Sequence, residues 1–124
     1  MTLSVVIAVA VGAGLGAPLR FLVERGAARL LGPVVPWGTL VVNVVGSLIL
    51  GAVLGLAVAG GISTWWVALV GTGFCGALTT FSGFSAQVLD LGRQGGGGVR
   101  GVAYATGSLV LGVAAATAGY ALLS

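Results

Sequence analysis

The feature that most constrains this chain is a run without any charged side chain, which extends from the residue after Arg29 to the residue before Asp90. A bilayer crossing needs about 20 predominantly apolar residues, so this run alone has room for two helical spans. The whole chain shares the pattern, because only 5 Arg or Lys and 2 Asp or Glu residues occur in 124. A soluble domain is charged at about a quarter of its positions. The sequence therefore predicts a small membrane protein with several spans.

Four apolar segments lie along the chain, and three polar or helix-breaking joints separate them. The predicted helices cover approximately residues 3–22, 37–59, 65–91 and 99–122. The first joint ends in Gly32, Pro33 and Pro36, and the third contains the glycine run 95–98, which is typical of a flexible turn. We therefore expect an all-α membrane protein, a single membrane domain over residues 1–124 with four transmembrane helices.

The arginines are distributed unevenly between the two sides of the predicted membrane. The first and third joints must lie on the same side, and they contain Arg25, Arg29, Arg93 and Arg100, with Arg20 at the edge of the first span. The opposite side, with both termini and the second joint, contains none. The positive-inside rule then places the arginine joints in the cytoplasm of a multi-pass protein of the cell membrane. Because these cations flank apolar spans, we expect no nucleic-acid partner.

The residue types that are missing exclude several kinds of chemistry. The chain has no histidine, which excludes a His-based catalytic triad or metal site. Cys75 is the only cysteine, so an internal disulfide is excluded. The two acidic residues, Glu24 and Asp90, lie near span ends, whereas a small four-helix drug/proton antiporter needs a carboxylate inside the membrane. We therefore do not expect an enzyme, and a transport protein or a structural subunit remains.

Polar residues inside the spans are few, which makes each of them informative. Thr39, Asn43 and Ser47 are four residues apart and form one stripe on the second helix. Tyr104 and Ser108 repeat the spacing on the fourth helix. One interpretation is a set of interhelical hydrogen bonds that only holds helices together. The other, about equally supported, is a polar track for a small polar solute or ion.

The third segment combines glycines with β-branched threonines. An interruption of this helix would free main-chain carbonyls, which suit a hard monovalent cation. The alternative is a glycine-lined crossing point where another helix packs closely, and the residues alone favour it slightly. Glycine pairs in the first and second segments predict similar close contacts. The glycines of the third segment are Gly71, Gly73, Gly76 and Gly83, the threonines are Thr79 and Thr80, and the pairs are Gly12-x-x-x-Gly16 and Gly51-x-x-x-Gly55.

Two phenylalanines stand close together near the end of this glycine-rich stretch. Phe81 and Phe84 are three residues apart and lie on nearby faces of one helix. Such rings are usually lipid-facing or part of the core, but a ring edge carries a partial positive charge that can face an anion. The Asn43 amide and the Ser108 hydroxyl are neutral donors that would complete a site for a small desolvated anion.

Three blocks, in order along nearly the whole chain, resemble the Fluc (CrcB-type) fluoride channel family. They are Gly12-Ala13-Gly14-x-Gly16-Ala17-x-x-Arg20, Gly38-Thr39-Leu40-x-x-Asn43-x-x-Gly46-Ser47 and Gly73-Phe74-Cys75-Gly76-Ala77-Leu78-Thr79-Thr80-Phe81-Ser82-x-Phe84. The third block is highly specific.

The resemblance implies an antiparallel dimer whose twofold axis lies in the membrane plane and which contains two fluoride pathways. It implies a third helix broken at mid-membrane depth, with a structural sodium ion on the main-chain carbonyls of Gly76 and Thr79 from both copies. Arg20 matches the arginine of the family's first helix. The residues that match the pathway, in which the phenylalanines form an aromatic box, are Thr39, Asn43, Phe81, Ser82, Phe84, Tyr104 and Ser108.

The implied function is passive, selective export of fluoride, which reduces its toxicity. Fluoride enters acidified cells as the neutral weak acid and is trapped inside as the anion, so the membrane potential alone can drive it out. The chain contains no phosphate-binding P-loop, which agrees with a passive channel. Fluoride and membrane lipid are therefore the expected partners, and a drug/proton antiporter is the less favoured class.

The chain departs from the family pattern in two respects. Gly83, Gln87 and Gly112 stand where the family usually has a threonine, a glutamate and a third polar residue. The arginine bias of at least four to none is also unfavourable for a homodimer whose copies insert in opposite directions. The alternative is one half of a heterodimer that needs an oppositely oriented paralogue.

Overall fold

The computed structural model describes residues 2–32, 34–94 and 98–124, and every regular element within these ranges is a helix. Four segments are long and apolar enough to cross a membrane, the third being α3 and α4 together. The predicted all-α, four-span architecture is therefore confirmed, whereas the antiparallel dimer and the single-domain assignment stay predictions. The helices are α1 (Leu3–Leu31), α2 (Trp37–Val58), a composite α3 (Thr64–Trp66, Val67–Cys75 and Gly76–Leu78), α4 (Ser82–Arg93) and α5 (Val99–Leu123).

The first helix is longer than predicted. Its expected end near Leu22 is wrong, because the charged stretch that begins at Glu24 continues the helix to Leu31. Arginine, alanine, leucine and glutamate are good helix formers, so the helix extends past its apolar span. It ends at Gly32, whose φ of 88° favours glycine and whose N–H donates to the Ala28 carbonyl at 3.1 Å. Pro33 and the predicted turn at residues 95–97 lie outside the described ranges.

Helix α1 crosses α3 with backbone against backbone. A Cβ atom added at Gly12 would overlap the Leu69 carbonyl oxygen, and one at Gly16 would overlap the Phe74 carbonyl oxygen. Both glycines are buried. The prediction that this pair marks a helix contact is confirmed, and small residues permit it because they let two backbones approach closely.

Helices α2 and α5 form a second crossing of the same kind. A Cβ at Gly51 would overlap the Ala116 carbonyl oxygen, and one at Gly55 would lie 2.6 Å from the Tyr120 carbonyl oxygen. Gly119 of α5 makes the reciprocal close contact with α2, because a Cβ there would overlap the Leu48 carbonyl oxygen. The predicted contact at Gly51 and Gly55 is therefore confirmed as well.

The third span is irregular over most of its length. Residues Val67–Cys75 form a π-helical stretch, in which the Gly76 N–H reaches back five residues to the Gly71 carbonyl. The helix then ends at Leu78, Thr79 takes an extended conformation (φ −79°, ψ 159°), and α4 begins at Ser82. Wide helical turns and interruptions of this kind occur most often at functional sites. The position is consistent with the predicted break.

Six of the seven charged residues gather at one end of the bundle, and the seventh, Arg20, reaches the carbonyl of Thr79 at the interruption. The six lie in the second half of α1, in the last turn of α4 and at the start of α5, which are adjacent because α1 and α4 end where α2 and α5 begin. Tyr104 of α5 ties this end together, since its hydroxyl donates to the Pro36 carbonyl at 3.2 Å. Within residues 2–32, 34–94 and 98–124, the opposite end of the bundle carries no charged side chain.

Candidate functional site

The interruption between α3 and α4 is held open by Asn43. The Thr80 N–H donates to Asn43 Oδ1 at 3.0 Å, and Asn43 Nδ2 donates to the Thr80 carbonyl at 3.3 Å. In a continuous helix the Thr80 N–H would instead donate to the Gly76 carbonyl, four residues earlier. The Asn43 side chain of α2 therefore replaces a helical hydrogen bond of α3 and satisfies partly buried main-chain groups that would otherwise lack partners.

Each side of the interruption has its own cap. On the α3 side, the Thr79 hydroxyl donates to the Cys75 carbonyl at 2.9 Å. On the α4 side, the Gly83 N–H donates to the Thr80 hydroxyl at 3.2 Å, the geometry of a helix N-cap. Arg20 of α1 completes the set, because its Nη1 donates to the Thr79 carbonyl at 3.4 Å. The break is thus a defined conformation that three helices support.

The carbonyls of Gly76 and Thr79 have the chemistry that the predicted sodium site requires. The Gly76 carbonyl has lost its helical donor to Asn43, and a Cβ at Gly76 would meet no atom within 4 Å. Hard cations prefer oxygen ligands of this kind. The described residues offer no competing cluster of His, Cys, Asp and Glu side chains. Two carbonyls of one chain are too few to coordinate a cation, so the donors fit sodium only if a second copy contributes its own pair.

Three aromatic rings run from the break toward the charged end. The Phe81 and Phe84 ring centroids are 6.3 Å apart with planes tilted by 39°, and Phe84 lies 5.7 Å from the Tyr104 ring. The exposure falls along the row: Phe81 is 81% exposed, Phe84 is half-buried and Tyr104 is 9% exposed. The two predicted phenylalanines are therefore neighbours, and one of them projects almost fully from the surface of the single chain.

Ser108 joins two cavities on this face. One cavity, of about 630 Å³, contains Asn43, Phe81 and Phe84, and none of its lining side chains is charged. The other, of about 580 Å³, contains Tyr104 and reaches Arg100 at the charged end. Ser108 lines both, and its buried Oγ has no hydrogen-bond partner among the described residues. A hydroxyl without a partner can donate to an anion that passes between the two cavities.

Two of the predicted site residues lie elsewhere in the single chain. Thr39 is 1% exposed and lines neither cavity, and its hydroxyl donates to Glu24 Oε1 of α1 at 3.1 Å. Ser82 is exposed and starts α4. The structure thus brings together Asn43, Phe81, Phe84, Tyr104 and Ser108, and leaves Thr39 and Ser82 to one side.

Sequence reasoning missed two residues that take part in this region. Glu24 was placed at a span end, but α1 continues past it, and the carboxylate reaches the first turn of α2. Thr80 caps α4, and the spacing from Thr80 to Gly83 is the signal that could have found it, since an N-cap side chain bonds the N–H two or three residues later.

The three departures from the family pattern lie around the same face. Gln87 has a buried Oε1 without a partner among the described residues. A Cβ at Gly83 would lie 3.3 Å from the Thr80 side chain, so glycine leaves this N-cap uncrowded. A Cβ at Gly112 would be 3.6 Å from the Ser47 hydroxyl, and the glycine therefore widens the larger cavity, which both residues line.

A membrane protein with four apolar spans and an uncharged, donor-lined groove at a helix break has the character of a transport protein. Residues 7–120 match the family model described as CrcB-like protein, Camphor Resistance (CrcB). The chain belongs to this family.

Curated relatives extend the match over most of the chain. A protein of Nocardia farcinica (strain IFM 10152), named fluoride-specific ion channel FluC 1, is 43% identical over 117 residues, which cover 94% of this chain and 76% of that protein. A protein of the same name from Frankia casuarinae is 45% identical and covers 90% and 89%. Fluoride-specific ion channel FluC of Pseudomonas paraeruginosa is 46% identical over 86% of each chain. These similarities also support the assignment to the cell membrane as a multi-pass protein.

Proposed function

We propose that this protein is a passive, fluoride-selective channel that exports cytoplasmic fluoride and so reduces its toxicity. The observation that carries the proposal is the uncharged groove in which the Asn43 amide, the free Ser108 hydroxyl and two phenyl rings meet. Fluoride is small and accepts strong hydrogen bonds, so neutral N–H and O–H donors can replace its water. Ring edges add positive partial charge without a fixed cation that would trap the ion.

A second copy is part of the proposal, because the site is open in one chain. Phe81 is 81% exposed, Gly76 is exposed, and a Cβ added at Gly76 would meet no atom within 4 Å. An antiparallel partner would cover both features, enclose the groove and bring a second pair of carbonyls to the first. The family resemblance supports this arrangement, in which each dimer contains two pathways.

The decisive experiment is fluoride efflux from liposomes that contain only this chain, measured with a fluoride electrode and with a chloride electrode in parallel. We expect fluoride to leave at a rate far above that of empty liposomes, while chloride stays inside. Efflux of both anions would contradict selectivity. No efflux of either would contradict a homodimeric channel and favour the alternative, a half-channel that needs an oppositely oriented paralogue.

A structural sodium ion is the second element of the proposal. When bound, the ion would supply a fixed positive charge at the dimer centre, where the carbonyls of Gly76 and Thr79 would hold it. We expect the exchange of sodium for a large organic cation during purification to lower the temperature of thermal unfolding, whereas restored sodium should raise it again. An unfolding temperature that does not depend on the cation would contradict the site.

A drug/proton antiporter of similar size is the alternative that the position of Glu24 makes worth testing. Such a protein would couple transport to protonation of a membrane carboxylate. A passive channel moves fluoride down its gradient without an imposed proton gradient, and an antiporter of cationic drugs does not transport it. Fluoride efflux at equal pH on both sides would therefore exclude the antiporter.

A further inference from the structure

We infer that Glu24 is a fixed negative charge at the charged end of the pathway and that it limits how fast fluoride enters the channel. The inference deepens the proposed function and rests on it. Its basis is the placement of the Glu24 carboxylate in α1, directly against the first turn of α2, whose Trp37 and Leu40 line the cavity that Tyr104 also lines.

The position of Glu24 is fixed by its backbone. A Cβ added at Gly38 would overlap the Glu24 Cα, so α1 and α2 touch at this point and only glycine permits the contact. The side chain is half-buried, and Oε1 accepts the Thr39 hydroxyl at 3.1 Å. Thr39 itself is almost completely buried, which limits the freedom of the pair. The carboxylate is therefore held between two helices, unlike a solvated surface charge.

The distance from this carboxylate to the pathway is short. Tyr104 donates to the carbonyl of Pro36, and Pro36 precedes Thr39 by three residues, which is about one helical turn or 5 Å along the axis of α2. Glu24 adds one hydrogen-bond length to that separation. With the 3.2 Å hydrogen bond of Tyr104 included, these steps add to about 11 Å, which is about one Debye length at 0.1 M salt. An anion beside Tyr104 experiences the charge without full screening.

The two hydroxyl groups at the charged end, those of Thr39 and Tyr104, already donate to acceptors within the protein. An ionised carboxylate accepts and cannot donate, so the Thr39 proton is directed at Glu24. The Tyr104 proton is directed at the Pro36 carbonyl. The first free hydroxyl donor along the groove is that of Ser108. Glu24 therefore disfavours fluoride at the charged end of the pathway in two ways. Its negative charge repels the anion, and it occupies the Thr39 hydroxyl as an acceptor. The arginines at the same end attract fluoride.

The test compares neutral variants of the only two acidic residues. Wild-type, Glu24→Gln and Asp90→Asn proteins are reconstituted separately, and the initial rate of fluoride efflux is measured at about 0.1 M and about 1 M of an impermeant salt, where the Debye lengths are about 10 Å and 3 Å. Glutamine keeps an oxygen acceptor for Thr39 and removes only the charge. Asp90 is exposed at the same end of the bundle and serves as the matched control.

We expect Glu24→Gln to raise the efflux rate at least about threefold at the lower salt concentration and to lose most of that gain at the higher one, since screening removes a through-space charge effect. Asp90→Asn should change the rate by less. Glu24→Asp keeps the charge and should behave like wild type. If Glu24→Gln does not fold, Glu24→Ala removes the same charge and carries the same expectation.

Several results would overturn the inference. They are a Glu24→Gln rate equal to or below that of wild type, a gain that is the same at both salt concentrations, or an equal gain in Asp90→Asn. If wild type conducts and only these comparisons fail, the inference is wrong and the channel function stands. If wild-type liposomes release no fluoride, the proposed function fails and the inference fails with it.

Discussion

The glycine crossings and the helix break differ in how fully their groups are packed or hydrogen-bonded within one chain. At the crossings, Gly12 and Gly51 are buried and their backbones touch the carbonyls of neighbouring helices. At the break, Phe81 is 81% exposed and the buried Ser108 hydroxyl has no partner. Polar groups without hydrogen-bond partners are strongly destabilising in the hydrocarbon region of a membrane. The difference shows that the crossings are complete within one subunit, whereas the break leaves an aromatic ring and a hydroxyl group uncovered, as the proposed channel and its second copy require.

The largest effect should come from adding a side chain at a glycine where two helices cross. We expect Gly12→Ala to lower the free energy of unfolding by about 1–3 kcal/mol or to prevent folding, because its Cβ would overlap the Leu69 carbonyl. The measurement is thermal unfolding in detergent together with the yield of monodisperse protein.

Gly14→Ala is the matched control for this change. Gly14 lies on the same helix, is exposed, and has no atom within 4 Å of an added Cβ. Alanine is a better helix former than glycine by about 1 kcal/mol, so stability should stay unchanged or rise. Equal losses in both variants would show that the α1 crossing does not depend on close backbone approach.

Most of the fold could be predicted from hydropathy and spacing. The four apolar segments and their joints predicted the number of spans, and the pairs at Gly12 and Gly51 predicted helix contacts, because in lipid small residues let helices approach closely. The end of α1 could not be predicted in this way. A hydropathy boundary marks where the apolar span stops, and the helix itself continues through Glu24 to Gly32.

The site was less predictable than the fold. Spacing alone placed Phe81 near Phe84 and Tyr104 near Ser108, each pair on its own helix. The family resemblance predicted that the two pairs belong to one pathway. The helical stripe also contained Thr39, but a stripe about two turns long faces more than one neighbouring helix, and Thr39 contacts α1 while Asn43 contacts the break. Which neighbour a residue meets depends on how the helices cross, and that information is not local in sequence.

The next largest effect should come from the aromatic rings on the break side. We expect Phe81→Ile to lower fluoride efflux at least about tenfold while the protein still assembles, because isoleucine keeps an apolar side chain and removes the ring edge with its positive partial charge. Phe84→Ile should act in the same direction. Efflux from liposomes and size-exclusion chromatography check both parts of the expectation.

Phe21→Ile controls for the loss of any exposed ring. Phe21 lies on α1 below the Arg25 guanidinium, 6.0 Å from ring centroid to Cζ, and is far in sequence from the break. Its replacement should leave efflux unchanged. If both Phe81→Ile and Phe84→Ile retain the wild-type rate, the aromatic box has no role in this protein.

Replacing Asn43 should affect both the stability of the subunit and the efflux of fluoride. Asn43→Ala leaves the N–H and the carbonyl of Thr80 without partners, which should cost about 1–3 kcal/mol of stability for a buried group and also reduce efflux. Asn43→Asp keeps the acceptor for the Thr80 N–H but adds a negative charge to the groove. Compared with Asn43→Ala, it should therefore lose less stability and more of the fluoride efflux. Unfolding and efflux are measured on the same preparations, and normal efflux in Asn43→Ala would favour a purely structural subunit.

The smallest effect should come from Arg20, at the edge of the break. Its guanidinium donates to the Thr79 carbonyl at 3.4 Å, a long hydrogen bond that places a positive charge beside the oxygen proposed to bind sodium. Arg20→Gln removes that repulsion, so the sodium concentration that gives half of the thermal stabilisation should fall at least about threefold. Arg25→Gln is the control, because Arg25 is exposed and lies over Phe21. A higher sodium requirement in Arg20→Gln would mean that the guanidinium holds the Thr79 carbonyl in place for the ion, and that its effect on the geometry of the break outweighs its charge.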